Sequence, residues 1–414
     1  MSNAYDSASL LVTPNGYEAG TIFSAKPTDG SGDLSFSRAS TALRRNSAGL
    51  WEEVANDVPR LQYPVGGGCP SWLFEPQATN IVLNSIGNAS NYTYVFGASG
   101  TDETTTTPFE GVTSAVKITT AASFFSGAYK IISRASAINV SYGIFKKIDL
   151  DWVGVLDVEG IGVRAWFNIS NGTLGTVTSG YTARITDEGN GWYRCELTKD
   201  TAEASTYFQF ICTDTNGSSI GAIGDTYICF AQNEAGSVAT SPIITAGSAV
   251  TRVADASNTT GLTSIIGQTE GTFFVDYTFL GIGDPITNFS NILTTNKNTD
   301  SAIYILRNAS NATIRAGIII GGSTVFNLGG GNNAINTKIK IAFVYKSGQS
   351  ALFINGSKIG STNTTAFTFT QALSEINLND ATTYFGYQAV EEFDQAIIYK
   401  KALSDTEAED LTAL

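Results

Sequence analysis

Apolar and polar residues alternate in short runs, and clusters of turn-forming residues close each run. This rhythm restricts the chain to β-strands. In residues 271–279, Phe273, Val275, Tyr277 and Phe279 fall on one side, and in 338–345 Ile339, Ile341, Phe343 and Tyr345 do the same. Period-two alternation is the signature of a half-buried strand. Further strand-like runs lie at 115–118, 142–145, 163–169, 192–198, 206–212 and 226–231, separated by turn clusters such as Asn171-Gly172 and Asp187-Glu188-Gly189-Asn190-Gly191. Many short strands at this spacing predict sandwiches or barrels. Residues 351–359 read as a hairpin whose Asn355-Gly356 pair supplies positive φ angles. Only the last dozen residues look helical, with Ser404 as N-cap, Glu407 completing a capping box, and a stripe of Ala408, Leu411 and Leu414.

The expected fold is therefore all-β: two tandem antiparallel β-sandwiches of jelly-roll type, preceded by an extended N-terminal arm or small β cap. Residues 1–84 carry most of the glycine-rich punctuation and too little apolar sequence for a core of their own. Residues 85–255 and 256–414 each read as one sandwich. The first segment nevertheless holds large apolar side chains, among them Leu11, Tyr17, Phe23, Phe36 and Trp51. A short, turn-rich stretch hides such residues poorly, so they are expected to form an attachment surface or a seam between subunits of a homo-oligomer.

Composition narrows function. The 414 residues include no histidine. Histidine-based hydrolysis, acid–base catalysis and the usual catalytic zinc sites are excluded. The net charge is −13, and acidic residues outnumber basic ones in all three regions, which argues against nucleic acid. No run of 18 apolar residues is present, and residues 1–6 lack the features of a signal peptide, so neither membrane insertion nor signal-peptide secretion is expected. Cys69, Cys195, Cys212 and Cys229 form no CxxC pair. The last three sit in strand-like runs and read as buried free thiols, as suits folding in a reducing compartment.

Several stretches resemble a known family. Residues 11–20 (LVTPNGYEAG), 27–33 (PTDGSGD), 37–42 (SRASTA), 56–61 (NDVPRL) and 73–80 (LFEPQATN) look like the N-terminal module of bacteriophage virion proteins found in tail and head fibres and related adhesins. Residues 187–197, 231–236, 240–243 and 251–255 resemble parts of the carbohydrate-binding-module-like sandwich in such proteins. The last third resembles a concanavalin A-like (laminin-G) jelly roll through 341–345, 352–356 and 397–405. The resemblance implies a virion surface protein that folds and assembles in the host bacterial cytoplasm. Its partners would be other virion proteins of capsid or tail, and a host surface glycan or other receptor. Its oligomeric state would be a trimer, as fibres commonly are.

Candidate binding residues follow from chemistry. Sugar recognition needs an aromatic face flanked by amides or carboxylates, and Trp152, Trp166 and Tyr181 have such surroundings. Asn377, Asn379 and Asp380 offer hard oxygens suited to calcium; no other cofactor is expected. Glu392 and Asp394 have the i, i+2 spacing that places two carboxylates on one side of a strand. The Glu-x-Asp-x-x-Glu pattern of concanavalin A-like glucanases is absent, so no enzyme activity is expected. Adhesion to host glycans is the leading reading. A mainly structural capsid-decoration or head-fibre role and a polysaccharide depolymerase are the alternatives.

Overall fold

A computed structural model describes residues 4–157, 162–282, 289–296, 300–379 and 387–414. It is almost entirely β, with one α-helix among the described residues, Asp405–Thr412. Ser404 and Glu407 form both halves of the capping box that starts this helix.

One sandwich is built from both ends of the chain. Its first sheet has the order Ser357–Asn363, Ser350–Ile354, Thr337–Lys346, Glu270–Gly281, Val390–Tyr399, Ser71–Phe74, Arg60–Gln62, and Leu10–Val12 also pairs with Val390–Tyr399. Its second sheet runs Tyr17–Glu18, Thr21–Ile22, Leu34–Ser37, Ala256–Thr260, Glu375–Leu378, Phe289–Thr295, Ser301–Asn308, Ile314–Ile320, Ser323–Gly330. The two faces bury one core, in which Leu10, Ile22, Leu34, Phe36, Trp72 and Phe74 pack with Phe273, Tyr277, Ile341, Phe343, Ile376 and Phe393.

Residues 1–84 are thus not a free arm. Their short apolar runs are too sparse to close a core alone, but they complete sheets whose other strands lie hundreds of residues away: Leu10 stands opposite Ile398, and Leu73 opposite Glu392. The expected seam side chains are spent inside the chain. Phe36 and Trp51 are each 4% exposed. Tyr17 meets Trp72 edge-on at 5.9 Å, Leu11 packs on the cluster beneath the helix, and Phe23 is half-buried. Each large apolar side chain fully removed from water contributes about 1.5–3 kcal/mol, and here that gain is intramolecular.

The other sandwich is an insertion. The chain leaves along Ala78–Asn80 and returns along Val250–Arg252, and these two strands pair with each other. Between them, one sheet runs Ser99–Thr104, Ser114–Thr120, Gly224–Ala235, Asn139–Lys147, Trp192–Lys199, Tyr181–Gly189. The facing sheet runs Thr93–Val95, Gly127–Ala137, Glu203–Thr213, Trp152–Asp157, Ala165–Asn168, Thr173–Val177. Val116, Ile118, Phe145, Val153, Phe167, Phe210 and Ile228 fill the space between them. Cys195, Cys212 and Cys229 are buried free thiols, whereas Cys69 is exposed. A hairpin from the N-terminal segment, Ala42–Arg45 with Trp51–Val54, covers the outer face of the first sheet, where Leu43 and Trp51 pack with Tyr142, Trp192 and Phe230.

Candidate functional site

The expected sugar-binding aromatics do not form one exposed platform. Trp152 and Trp166 lie on neighbouring strands and share an apolar cluster with Leu156, Val163 and Ile211. Trp166 is 6% exposed, and its indole N–H donates to the Ser218 carbonyl at 2.8 Å. Trp152 keeps partial exposure beside Asn216 and Gly175. Tyr181 is on the opposite sheet, with the Arg164 guanidinium 5.3 Å from its ring centroid. The loop carrying Ser218 closes the tryptophan face, which sequence alternation alone does not reveal.

The oxygens proposed for calcium are used within the fold. Asn379, fully buried, donates through Nδ2 to the Ala389 carbonyl and accepts through Oδ1 from the Ala389 amide, so its side chain mimics a backbone neighbour. Asn377 is buried in the Glu375–Leu378 strand. Asp380 lies outside the described residues. Glu392 and Asp394 share a side of the Val390–Tyr399 strand as their spacing requires. Asp394 is held by Lys338 at 2.6 Å and by the Ser71 hydroxyl.

A different surface opens at the rim of the inserted sandwich. Residues 81–87 run along its end, fixed by Ile81 N–H to Asn233 O, by an Ile86–Phe230 bridge and by an Asn84–Ala246 bridge. A single 3-10 turn, Ala89–Asn91, follows, capped by the Asn88 side chain. Two clefts open on either side of this segment. The larger, about 510 Å3, is lined by Ile86, Asn88, Asp102, Glu103, Ser114, Ile244 and Thr245. The smaller, about 350 Å3, is lined by Leu83, Ser90, Tyr92, Thr93, Lys130 and Ile131. Asn84 and Asn91 line both. Neither side-chain amide has a hydrogen-bond partner among the described residues, although both are half-buried. Leu83 and Ile131, 49% and 70% exposed, give the rim apolar surface.

Lys130 is the unusual member of this wall. It alternates with Ala128 and Ile132 on the core side of its strand and is 3% exposed. Its ammonium donates to the Asn84 carbonyl at 2.8 Å and stands 3.8 Å from the Tyr92 ring centroid. No carboxylate pairs with it among the described residues, and burial pushes its pKa down to about 7. The Tyr92 hydroxyl is buried with no partner among the described residues. The arrangement offers amide, hydroxyl and ammonium donors, carboxylate acceptors and small apolar faces, the set that recognises a hydroxyl-rich ligand. Lys130 was hard to find from sequence because a lysine in an alternating strand reads as a solvent-facing residue.

A second cluster unites the stretches that carry the family resemblance. Asp255 takes Arg38 at 3.1 Å and also Arg60; Glu75 takes Arg252 at 2.9 Å and also Arg60. The Ser241 hydroxyl donates to Glu75. All five charged residues are at most 1% exposed. Nearby, Glu188 accepts from Arg45 and from the Trp51 indole at 2.7 Å. This network joins the N-terminal segment to the returning strand, at the root of the insertion. Enclosed this fully, it holds the two sandwiches in register and offers no opening to a ligand.

No protein-family model matches the chain, and no curated protein sequence matches it. Solved structures similar to part of it include the CBM40 module of a Ruminococcus gnavus IT-sialidase bound to α2,3-sialyllactose, at 16% identity and a TM-score of 0.31, covering 37% of this chain and 91% of that one. Domain 4 of AbnA, a GH43 extracellular arabinanase from Geobacillus stearothermophilus, in complex with arabinotriose, matches at 15% identity and 0.31, covering 38% and 73%. A heptameric SAP-like pentraxin from Limulus polyphemus matches at 15% and 0.26, covering 34% and 68%. At such scores these likenesses carry no argument about what this chain binds.

Proposed function

We propose that this protein is a non-catalytic adhesin that binds a glycan in the paired clefts at the rim of its inserted sandwich. The observation that carries the reading is the pair of amides, Asn84 and Asn91, that have no hydrogen-bond partner among the described residues and stand on the wall common to both clefts. Amides satisfy adjacent sugar hydroxyls as donor and acceptor at once, and these two have no protein partner among the described residues that a ligand must displace. Shallow sites of this kind become effective through multivalent display, which raises avidity by about 10²–10⁴. A virion surface would provide such display; that setting rests on the resemblance of residues 11–80 to phage fibre modules. The braced junction between the sandwiches favours one other reading, a rigid structural component of the particle.

A glycan microarray probed with the full-length protein separates these readings. Binding to a defined set of glycans, lost at least tenfold in Asn91→Ala, is the expected result. An array with no binding even when the protein is presented multivalently would overturn adhesion to glycans and leave the structural role.

A further inference from the structure

We infer that the smaller cleft is a subsite for an anionic substituent on that glycan, a carboxylate or sulfate, received by the Lys130 ammonium. The inference rests on the glycan reading of the same clefts and adds the chemical class of the ligand.

Two independent observations meet at this point. The first is a buried cation without a counter-ion. Lys130 makes one hydrogen bond, to the Asn84 carbonyl, and one ring contact, to Tyr92. Two of its three N–H donors have no acceptor among the described residues. Buried ammonium groups ordinarily pair with a carboxylate, because the charge is costly to desolvate alone. The second is the wall around it: Asn84 and Asn91 line the same cleft, and neither side-chain amide has a hydrogen-bond partner among the described residues. An ammonium with spare N–H groups on the wall of an open cleft of about 350 Å3, which lies within the size range of small-ligand sites, suits an oxyanion carried on a sugar ring. Asn84 and Asn91 then address the neighbouring hydroxyls. A neutral sugar would leave the ammonium uncompensated, so the cleft discriminates by charge as well as by shape.

Burial already pulls Lys130 down to about 7, and an anion seated on it must reverse that shift. The neighbouring titratable groups Tyr92 and Tyr94 are both pushed up, Tyr94 to about 12, so neither changes charge near neutrality. The test is 13Cε-lysine NMR of the full-length protein, titrated over pH in glucose, glucuronate or glucose 6-sulfate. One lysine should titrate near neutrality in the free protein and in glucose, and should move up by a unit or more with glucuronate, with glucose 6-sulfate, or with both. The responding probe identifies the substituent. Lys130→Met should remove the signal and weaken the responding probe at least tenfold. No shift with either anion at 100-fold excess over protein would overturn the subsite. If the microarray still shows neutral glycans bound and lost in Asn91→Ala, the glycan reading survives that failure. If the anions bind at Lys130 but no array glycan does, the glycan reading fails instead.

Discussion

A lysine held at the edge of a hydrophobic core without a carboxylate weakens the fold that holds it. Burial lowers Lys130 from its ordinary 10.5 to about 7. Between those values the unfolded chain keeps the proton that the folded chain has released. Stability therefore rises with pH across that window, and the penalty is complete below it. Lys130→Met should flatten this rise and stabilise the protein by roughly 1–3 kcal/mol at pH 6, read by chemical denaturation. An unchanged slope would show that the ammonium is not the burden. Carboxyl groups set the acid side. Burial pushes Glu234 and Glu392 up to about 7, against partial relief for Glu234 from Thr240, and pushes Glu391 well above the usual range. Their folded values exceed the ordinary 4.5, so stability falls as pH rises from 4.5 toward 7. Glu75 runs the other way: burial raises it, but Arg252 and Arg60 outweigh burial and bring it to about 2. Its contribution is present above 4.5 and is lost as pH falls toward 2. The melting temperature should therefore peak near pH 4–5 and decline toward neutrality; a monotonic rise to pH 7 would contradict these assignments.

Individual strands were legible where one strand carries its own evidence. The alternating faces of 271–279 and 338–345 do meet, Phe273 opposite Phe343 and Tyr277 opposite Ile339. Asn355 and Gly356 adopt the positive φ angles that their hairpin requires, 48° and 77°. The helix begins at the capping box read from Ser404 and Glu407. Pairing between distant strands was not legible. Nothing in Leu10–Val12 states that its partner lies near residue 397, because the free energy that selects the pairing resides in a core assembled from both ends of the chain. The cleft was hidden for a related reason: it forms where residues 81–93, 102 and 130 converge at the end of a sandwich, and none carries a local pattern. The ion network lies between these cases. Its residues were visible as a resemblance, while their convergence was not. Asp255→Ala would leave Arg38 buried without a carboxylate and Arg60 with Glu75 alone, which it shares with Arg252, and should cost about 3–5 kcal/mol. A loss below about 1 kcal/mol in urea unfolding would mean that the junction tolerates the vacancy.

At the scale of the whole molecule, the chain is one discontinuous sandwich interrupted by another, braced by a hairpin and a buried ion network. This organisation predicts unequal independence of its parts. A fragment of residues 256–414 lacks Leu10–Val12, Leu34–Ser37 and Ser71–Phe74, strands that pair with its own in both sheets. It should be insoluble or molten, with no cooperative thermal transition. Residues 78–253 retain both of their sheets and should fold, at reduced stability, without the covering hairpin. A cooperative melt from the 256–414 fragment would contradict the interleaved architecture. With Phe36 and Trp51 consumed internally, the apolar argument for a trimeric seam no longer holds.

The proposed ligand site lies in the paired clefts around Asn84, Asn91 and Lys130. The most direct test is a crystal structure of the full-length protein with the tightest glycan from the microarray. Electron density for sugar rings across the wall of Asn84 and Asn91, with the anionic group within hydrogen-bond reach of Lys130 Nζ, is the predicted result. Density over the Trp152 face, or anywhere else on either sandwich with the two clefts empty, would contradict it.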